Sequence, residues 1–270
     1  MEIQILSISD WHAQLDPLNG VGGAAALSTY FKADRAANPN TLTFTAGDAY
    51  GASPPLSGFF GEEPAVKAMN LMGFTADTFG NHNFDRGIAG LQPLIDLAEF
   101  DYVSSNLQNV QAELNGVKTP YALYDVGGVK VGVVGITNPE APTLVFPGNF
   151  GSIVPTDPVA AANSARAQAR EAGARIVIAI AHLGATGTDP ATGQPTGPLI
   201  DFANGVSGFD LILGDHTDVL VNTVINGTLV VENQQGRHVC KDDAGLRPAE
   251  RHRCRELRGD RDAGRRRGHA

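Results

Sequence analysis

An α/β fold built on mixed β-sheets is what this sequence predicts, and three observations predict it. Apolar β-type runs alternate with helical patterns along residues 1–237, which argues for mostly parallel strands covered by helices. Two pairs of runs are instead joined by tight glycine-containing turns, the mark of antiparallel hairpins. All four histidines of that stretch, His12, His82, His182 and His216, end an apolar run or follow one closely. Imidazoles at the carboxyl ends of several strands converge on one rim, where an α/β domain assembles a metal or catalytic site.

In chain order, strands are expected at Ile3–Ser9, Thr41–Ala46, Ala76–Gly80, Tyr102–Ser105, Lys130–Ile136, Arg175–Ala181 and Phe209–Leu213. Helical patterns lie between them, near Gly23–Ala36, Glu62–Met72, Ile88–Phe100, Pro158–Ala172 and Pro198–Asn204. One hairpin is Tyr121–Val126, Gly127-Gly128 and Val129–Gly135. The other is Val219–Ile225, Asn226-Gly227 and Thr228–Glu232, with the Asn-Gly pair that a type I′ turn prefers. The sheets are therefore expected to be mixed. No internal repeat is present.

The 270 residues are 42% hydrophobic and 18% charged, a soluble composition able to bury a sizeable core. No stretch approaches the roughly 18 apolar residues of a membrane span. The start, Met1-Glu2-Ile3-Gln4-Ile5-Leu6, reads as a first strand and has no basic n-region or cleavage site. Charge divides the chain in two. Residues 1–237 hold 10 Lys+Arg against 23 Asp+Glu, a balance of −13, whereas residues 238–270 hold 10 against 6, a balance of +4. An acidic body is a poor partner for a nucleic acid polymer, and a phosphate-binding cleft in it would need positive charge from bound metal. Both cysteines, Cys240 and Cys254, lie in the tail, so cysteine usage assigns no redox compartment. The domain reading is thus a body at 1–237 and an irregular basic tail at 238–270. The tail reads either as disordered or as an out-of-frame translation, because apolar periodicity gives way abruptly to Arg, Asp, Gly and Ala.

Five segments carry chemistry. Asp10-Trp11-His12 follows the first strand, where a carboxylate and an imidazole two residues apart can grip one cation; alone, the pair is more simply a loop Asp and a packed His. Gly47-Asp48 ends the second strand, where glycine lets the backbone approach a ligand closely; alone, it is a turn. Gly80-Asn81-His82-Asn83-Phe84-Asp85 is more specific, packing an amide, an imidazole and a carboxylate into six residues. A His held by an Asp three positions on is an oriented acid. Ile180-Ala181-His182-Leu183-Gly184 and Leu213-Gly214-Asp215-His216-Thr217-Asp218 each place a His just past a strand. Separately these two favour a structural reading; together, the five in this order are hard to assign to chance.

In that order the segments resemble the calcineurin-like metallophosphoesterases and, within them, the 5′-nucleotidase family. The matching blocks are an Asp-x-His, a Gly-Asp, a Gly-Asn-His variant, a later His and a variant of Gly-His-x-His. Gly22–Ala26, Thr45–Gly51 and Glu63–Gly87 look like the nucleotidase branch. The resemblance spans about residues 3–237 and stops at the tail. It implies a four-layer αββα sandwich of two mixed sheets and two divalent metal ions, Mn, Zn, Fe or Co, bridged by Asp48. Asp10 and His12 would hold the first ion; Asn81, His182 and His216 would hold the second. Asp218 stands where many relatives have a second His and some an amide, and is expected on the first ion. His82, oriented by Asp85, would serve the leaving oxygen as acid or charge stabiliser.

The implied reaction is hydrolysis of nucleotide phosphomonoesters by a metal-activated water, with cyclic phosphodiesters as a second substrate class. The implied partner is a small-molecule nucleotide or phosphoester, with no nucleic acid polymer and no membrane span; the oligomeric state stays open. The resemblance points to an exported enzyme, although the chain as written opens without an export signal. Full-length members of the branch carry a second, C-terminal domain that holds base and ribose, and nothing after residue 237 is long or apolar enough to build it. The rival reading is therefore a truncated, non-catalytic metal-binding fragment. A sulfur-ester hydrolase on the same scaffold is a third.

Other signals have simpler readings. Gly20-Val21-Gly22-Gly23-Ala24-Ala25 imitates a dinucleotide fingerprint but stands well away from the first strand and lacks the downstream acid, so small residues packing a helix on a sheet explain it better. Asn226-Gly227-Thr228 is a sequon that the hairpin turn already explains. Trp11 is expected to pack its loop.

Overall fold

The computed structural model describes residues 2–18 and 20–233, together with the backbone of 238–244 and 252–256. The strands of its two main sheets are β1 (Ile3–Ser7), β2 (Thr41–Phe44), β3 (Ala76–Asp77), β4 (Asp101–Tyr102), β5 (Ala122–Val126), β6 (Val129–Ile136), β7 (Ile176–Ala181), β8 (Leu211–Gly214), β9 (Val221–Ile225), β10 (Thr228–Glu232), β11 (His238–Ala244) and β12 (His252–Glu256). The main helices are α1 (Ala24–Ala37), α2 (Glu63–Met72), α3 (Gly87–Leu97), α4 (Pro158–Glu171) and α5 (Pro198–Gly205).

One six-stranded sheet runs β12-β11-β1-β2-β3-β4, with β1 to β4 parallel. The other runs β9-β10-β8-β7-β6-β5, parallel from β10 to β6. Both of its edges are the antiparallel hairpins expected from sequence. At each hairpin tip both turn residues have positive φ, Gly127 at 59° and Gly128 at 83°, Asn226 at 50° and Gly227 at 82°. That is the backbone a type I′ turn requires.

Period-two alternation within single strands sorts side chains into three apolar layers. Ile3 and Ile5 of β1, Val131 and Val133 of β6, and Ile178 and Ile180 of β7 meet between the sheets. Their neighbours face outward. Leu6 and Ile8 pack under Leu27 and Phe31 of α1 and Val66 and Met69 of α2. Val134, Val177 and Ala179 pack under Ala162, Ala165 and Ala169 of α4 and Leu199 and Phe202 of α5. Helices thus cover the outer face of each sheet, which gives the αββα order. Buried on both faces, the central strands read as near-continuous apolar runs. Trp11 is fully buried in the layer beneath α1, as a packing residue should be.

Two differences from the sequence reading have local causes. The third strand stops at Asp77 instead of continuing to Gly80, because side chains take the next amides: Thr78 N donates to Asp77 Oδ1 at 2.7 Å and Gly80 N to Asn83 Oδ1 at 2.7 Å. The segment expected to be irregular contributes β11, antiparallel to β1 from Ile3↔Ala244 to Ser7↔Cys240, and β12 beside it. The open edge of β1 offers the unpaired amides and carbonyls that attract such a strand. The rest of that tail lies outside the described residues.

At one point the sheets touch backbone to backbone. Ser105 N donates to the Gly135 carbonyl of β6 at 2.8 Å, and a Cβ at Gly135 would strike the Val103 carbonyl. Gly135→Ala should therefore destabilise by about 1–3 kcal/mol through overpacking. Urea unfolding checks this, and an unchanged midpoint would contradict the packing described.

Candidate metal centre

The five segments singled out from sequence meet on one rim, at the carboxyl ends of β1, β2, β3, β7 and β8. The chain turns sharply there, and several of its turning residues adopt positive φ: Asp10 (38°), His12 (46°), Asp48 (46°), His216 (92°) and Asp218 (57°). Non-glycine residues take this conformation rarely, and clusters of it mark functional sites. Hydrogen bonds hold the turns against each other. His12 N and Ala13 N donate to the carbonyls of Asp48 and Ala49 at 3.1 and 2.8 Å, so the first turn is laced to the second. Asn83 Oδ1 accepts from both Asp48 N (3.2 Å) and Gly80 N (2.7 Å), tying the second to the third.

Asp48 lies at the middle of this arrangement, 1% exposed. Its Oδ1 accepts from His82 N at 2.8 Å, and its Oδ2 lies 3.0 Å from His182 Nε2. Burial alone would raise its pKa, but His182 opposes this and holds the carboxyl below its usual range. For His182, burial pulls the other way and the Asp48 charge prevails, so its pKa rises. The same Nε2 also lies 3.3 Å from Asn81 Oδ1 and 3.0 Å from His216 Nδ1. His216 is held by its own amide, which donates to Asp10 Oδ2 at 2.8 Å, and by Asn138, whose Nδ2 lies 3.3 Å from His216 Nε2. Burial and the neighbouring His182 lower its pKa.

Ligand-type atoms gather in three groups among the described residues: Asp48, His182 and His216; Asp10, His12 and Asp48; and Asp10, His182 and Asp215, the atoms of each lying within 4.8 Å of one another. Asp48, Asp10 and His182 each belong to two of them. Glycine makes the gathering possible. A Cβ at Gly47, whose φ is 102°, would sit 2.6 Å from Gly80 N and 2.8 Å from His182 Nδ1.

Known proteins share this architecture. The 5′-nucleotidase of Rattus norvegicus is 32% identical over 237 residues, which cover 82% of this chain and 39% of that protein. The calcineurin-like phosphoesterase YfkN from Bacillus subtilis is 26% identical with a TM-score of 0.75, over 90% of this chain and 84% of that one. A 5′-nucleotidase precursor from Thermus thermophilus shares the fold, with a TM-score of 0.77 at 23% identity over 96% of this chain and 55% of that one. The chain belongs to the 5′-nucleotidase family of metallophosphoesterases. No protein-family model matches it. It spans 21% to 39% of the length of the first curated relatives it matches.

A metallophosphoesterase implies divalent metal, and the donor set fits one. Lone pairs of Asp48, Asn81 and His216 crowd around a single imidazole nitrogen, an arrangement stable only around a proton or a cation. Carboxylate, amide oxygen and imidazole together suit Mn, Zn, Fe or Co. Asp215 adds to the case and was not singled out from sequence. It is fully buried, its Oδ2 has no hydrogen-bond partner, and burial beside Asp10 raises its pKa well above the usual carboxylate range. Its only sequence signal is an acid beside a His at a strand end, which many loops share.

Asp218 is exposed, unlike its six companions, and is in none of the three groups. His82 and Asp85 stand at the open side, about one third exposed, with Nδ1 2.9 Å from Asp85 Oδ2. The Asp85 hydrogen bond is the main cause that raises the His82 pKa. Ala52 N also donates to Asp85 Oδ2, at 3.0 Å, and so braces the carboxylate.

The close approach at Gly80 offers a test. A Cβ there would strike Asp48 Oδ1, so Gly80→Ala should displace the central carboxylate and lower bound metal, read by elemental analysis, with the far-ultraviolet circular dichroism unchanged. Full metal content in that variant would remove Asp48 from the centre of the site.

Proposed function

We propose that this chain is the catalytic unit of a phosphoester hydrolase, carried by residues 1–237, with nucleotide phosphomonoesters as its main substrates and cyclic phosphodiesters as a second class. The observation that carries the reading is Asp48, a buried carboxylate shared by two groups of ligand-type atoms. In this reading Asp10, His12 and Asp48 hold one divalent ion, with Asp218 as an added ligand to it. Asp48, Asn81, His182 and His216 hold the second. Bound there, the pair of ions would acidify a water and neutralise charge on a phosphoryl oxygen.

The chain's own groups do the rest. Asp85 fixes the His82 ring through Nδ1 and favours its protonated form, which leaves Nε2 to donate to the oxygen of the leaving alcohol as its bond to phosphorus breaks. The His82 ring lies 5.3 Å from that of His12, so this donor stands beside the ligand cluster. Asn138, braced by Glu140 N at 2.9 Å, keeps the His216 ring turned inward. An acidic surface leaves the ions as the attraction for a phosphate, which favours small substrates over polymeric nucleic acid.

The first experiment is hydrolysis of AMP and of bis(p-nitrophenyl) phosphate by the purified chain, with Mn²⁺ and with a chelator. Turnover that the chelator abolishes is expected. Bound metal without turnover on either substrate would refute catalysis and leave a metal-binding piece of a longer protein. His82→Ala should lower turnover by about 10²–10⁴-fold, the usual contribution of a positioned acid, with metal content unchanged; parallel loss of both would make His82 a ligand. His182→Ala should instead lose metal and turnover together.

A further inference from the structure

Glu232 is a buried carboxylate that the proposed chemistry does not use. It is the last residue of β10, paired in register with Gly214, the last residue of β8, and with Val221 of β9. Alternation along β10 puts it on the face of Val230, toward the helices α4 and α5, where an apolar side chain is the rule. It is 0% exposed, and no ion pair among the described residues includes it. A buried carboxylate without a cation must be satisfied by hydrogen bonds, or it would be too costly to keep.

Its partners come from two loops. Oε2 accepts from Ala185 N at 2.8 Å, three residues past His182. Oε1 accepts from Thr217 N at 3.2 Å, one residue past His216, and lies 2.7 Å from Thr217 Oγ1. The loops also touch directly. Thr217 Oγ1 donates to the Ala185 carbonyl at 2.6 Å, Asp215 N donates to the Leu183 carbonyl at 3.0 Å, and a Cβ at Gly184 would strike Thr217.

We infer that Glu232 is a positioning residue, which clamps the loops after β7 and β8 together and so sets the spacing of His182 and His216. The inference rests on the reading of those histidines as ligands of one ion. A glutamine in its place keeps the volume but turns one acceptor into an NH₂ donor facing an N–H donor, so one loop must move. The fully apolar alternative at this face would pack equally well and leave both loops untied. The distinctive service of the carboxylate is therefore geometric.

The test uses Co²⁺ as probe with the full chain, whose visible d–d bands report ligand geometry and whose titration reports affinity for each ion. In Glu232→Gln the ion held by His182 and His216 should bind about 10–100-fold more weakly, the usual effect of removing a residue that orients metal ligands. Its bands should shift, while the ion held by Asp10 and His12 and the midpoint of thermal unfolding without metal change little. Glu232→Asp keeps the charge but draws the carboxylate back by one methylene and should shift the same bands; it decides the matter if Glu232→Gln does not fold. Bands and affinities equal to those of the parent in a folded variant would overturn the positioning role. A parent chain that binds no Co²⁺ would overturn the reading of the site itself, a separate failure.

Discussion

The contact between Asp48 and His182 joins the two halves of the molecule. Asp48 comes from the turn after β2 in one sheet, and His182 directly follows β7 in the other, yet their charged atoms lie 3.0 Å apart with both side chains out of water. Such a pair is expensive to desolvate and stays only where its remaining hydrogen-bonding capacity is filled. Here the amide of His82 fills one carboxylate oxygen, and the Ala46 carbonyl, 3.1 Å from Nδ1, takes the other side of the imidazole. The apolar layer between the sheets, with Phe44, Ile180 and Leu213 in it, brings these groups together. The site therefore depends on how the sheets stack, and any shift between them would pull the central carboxylate from its imidazole.

The turns around this contact are held in a sparsely populated conformation. Asp10, His12, Asp48 and His216 each carry positive φ, at an intrinsic cost on the order of 1–3 kcal/mol per residue. Cooperative lacing between turns offsets that cost. Two amides of the first turn bond to carbonyls of the second, and one Asn83 oxygen serves the second and third together. Each strained residue is thus fixed by a neighbour outside its own segment. Such over-determination lets ligand-type atoms stand ready before anything binds, so little reorganisation is left for binding.

Exposure is graded across the rim. His182 and Asp215 are fully enclosed, Asp10 and Asp48 nearly so, His12 is partly open, and His82 with Asp85 stands at the mouth. The gradient suits the proposed division of labour. Groups that hold ions gain from a dry environment in which their charges act strongly, whereas a proton donor must meet the substrate. Glu232 extends the same logic behind the site, using backbone amides in place of a counter-charge to keep a carboxylate buried.

The residue pattern by itself determined the alternation of strand and helix, both hairpins and the identity of most of the rim. These are local facts: period-two apolarity, Asn-Gly and Gly-Gly turns, and polar residues set just past apolar runs. Asp10, His12, Asp48, Asn81, His182 and His216 were legible because each sits where a strand must end. Only the tertiary structure decided that Asp48, like Asp10 and His182, falls in two of the groups of ligand-type atoms, that Asp215 joins them, and that Asp218 is exposed. The same holds for Glu232, which in sequence is one acid at the end of a hairpin. The early end of β3 and the strand pairing of residues 238–244 belong here too. In each case the deciding contact spans two sheets or two loops distant in sequence, and spacing along a chain carries no information about which loops the packing of its apolar layers will bring together.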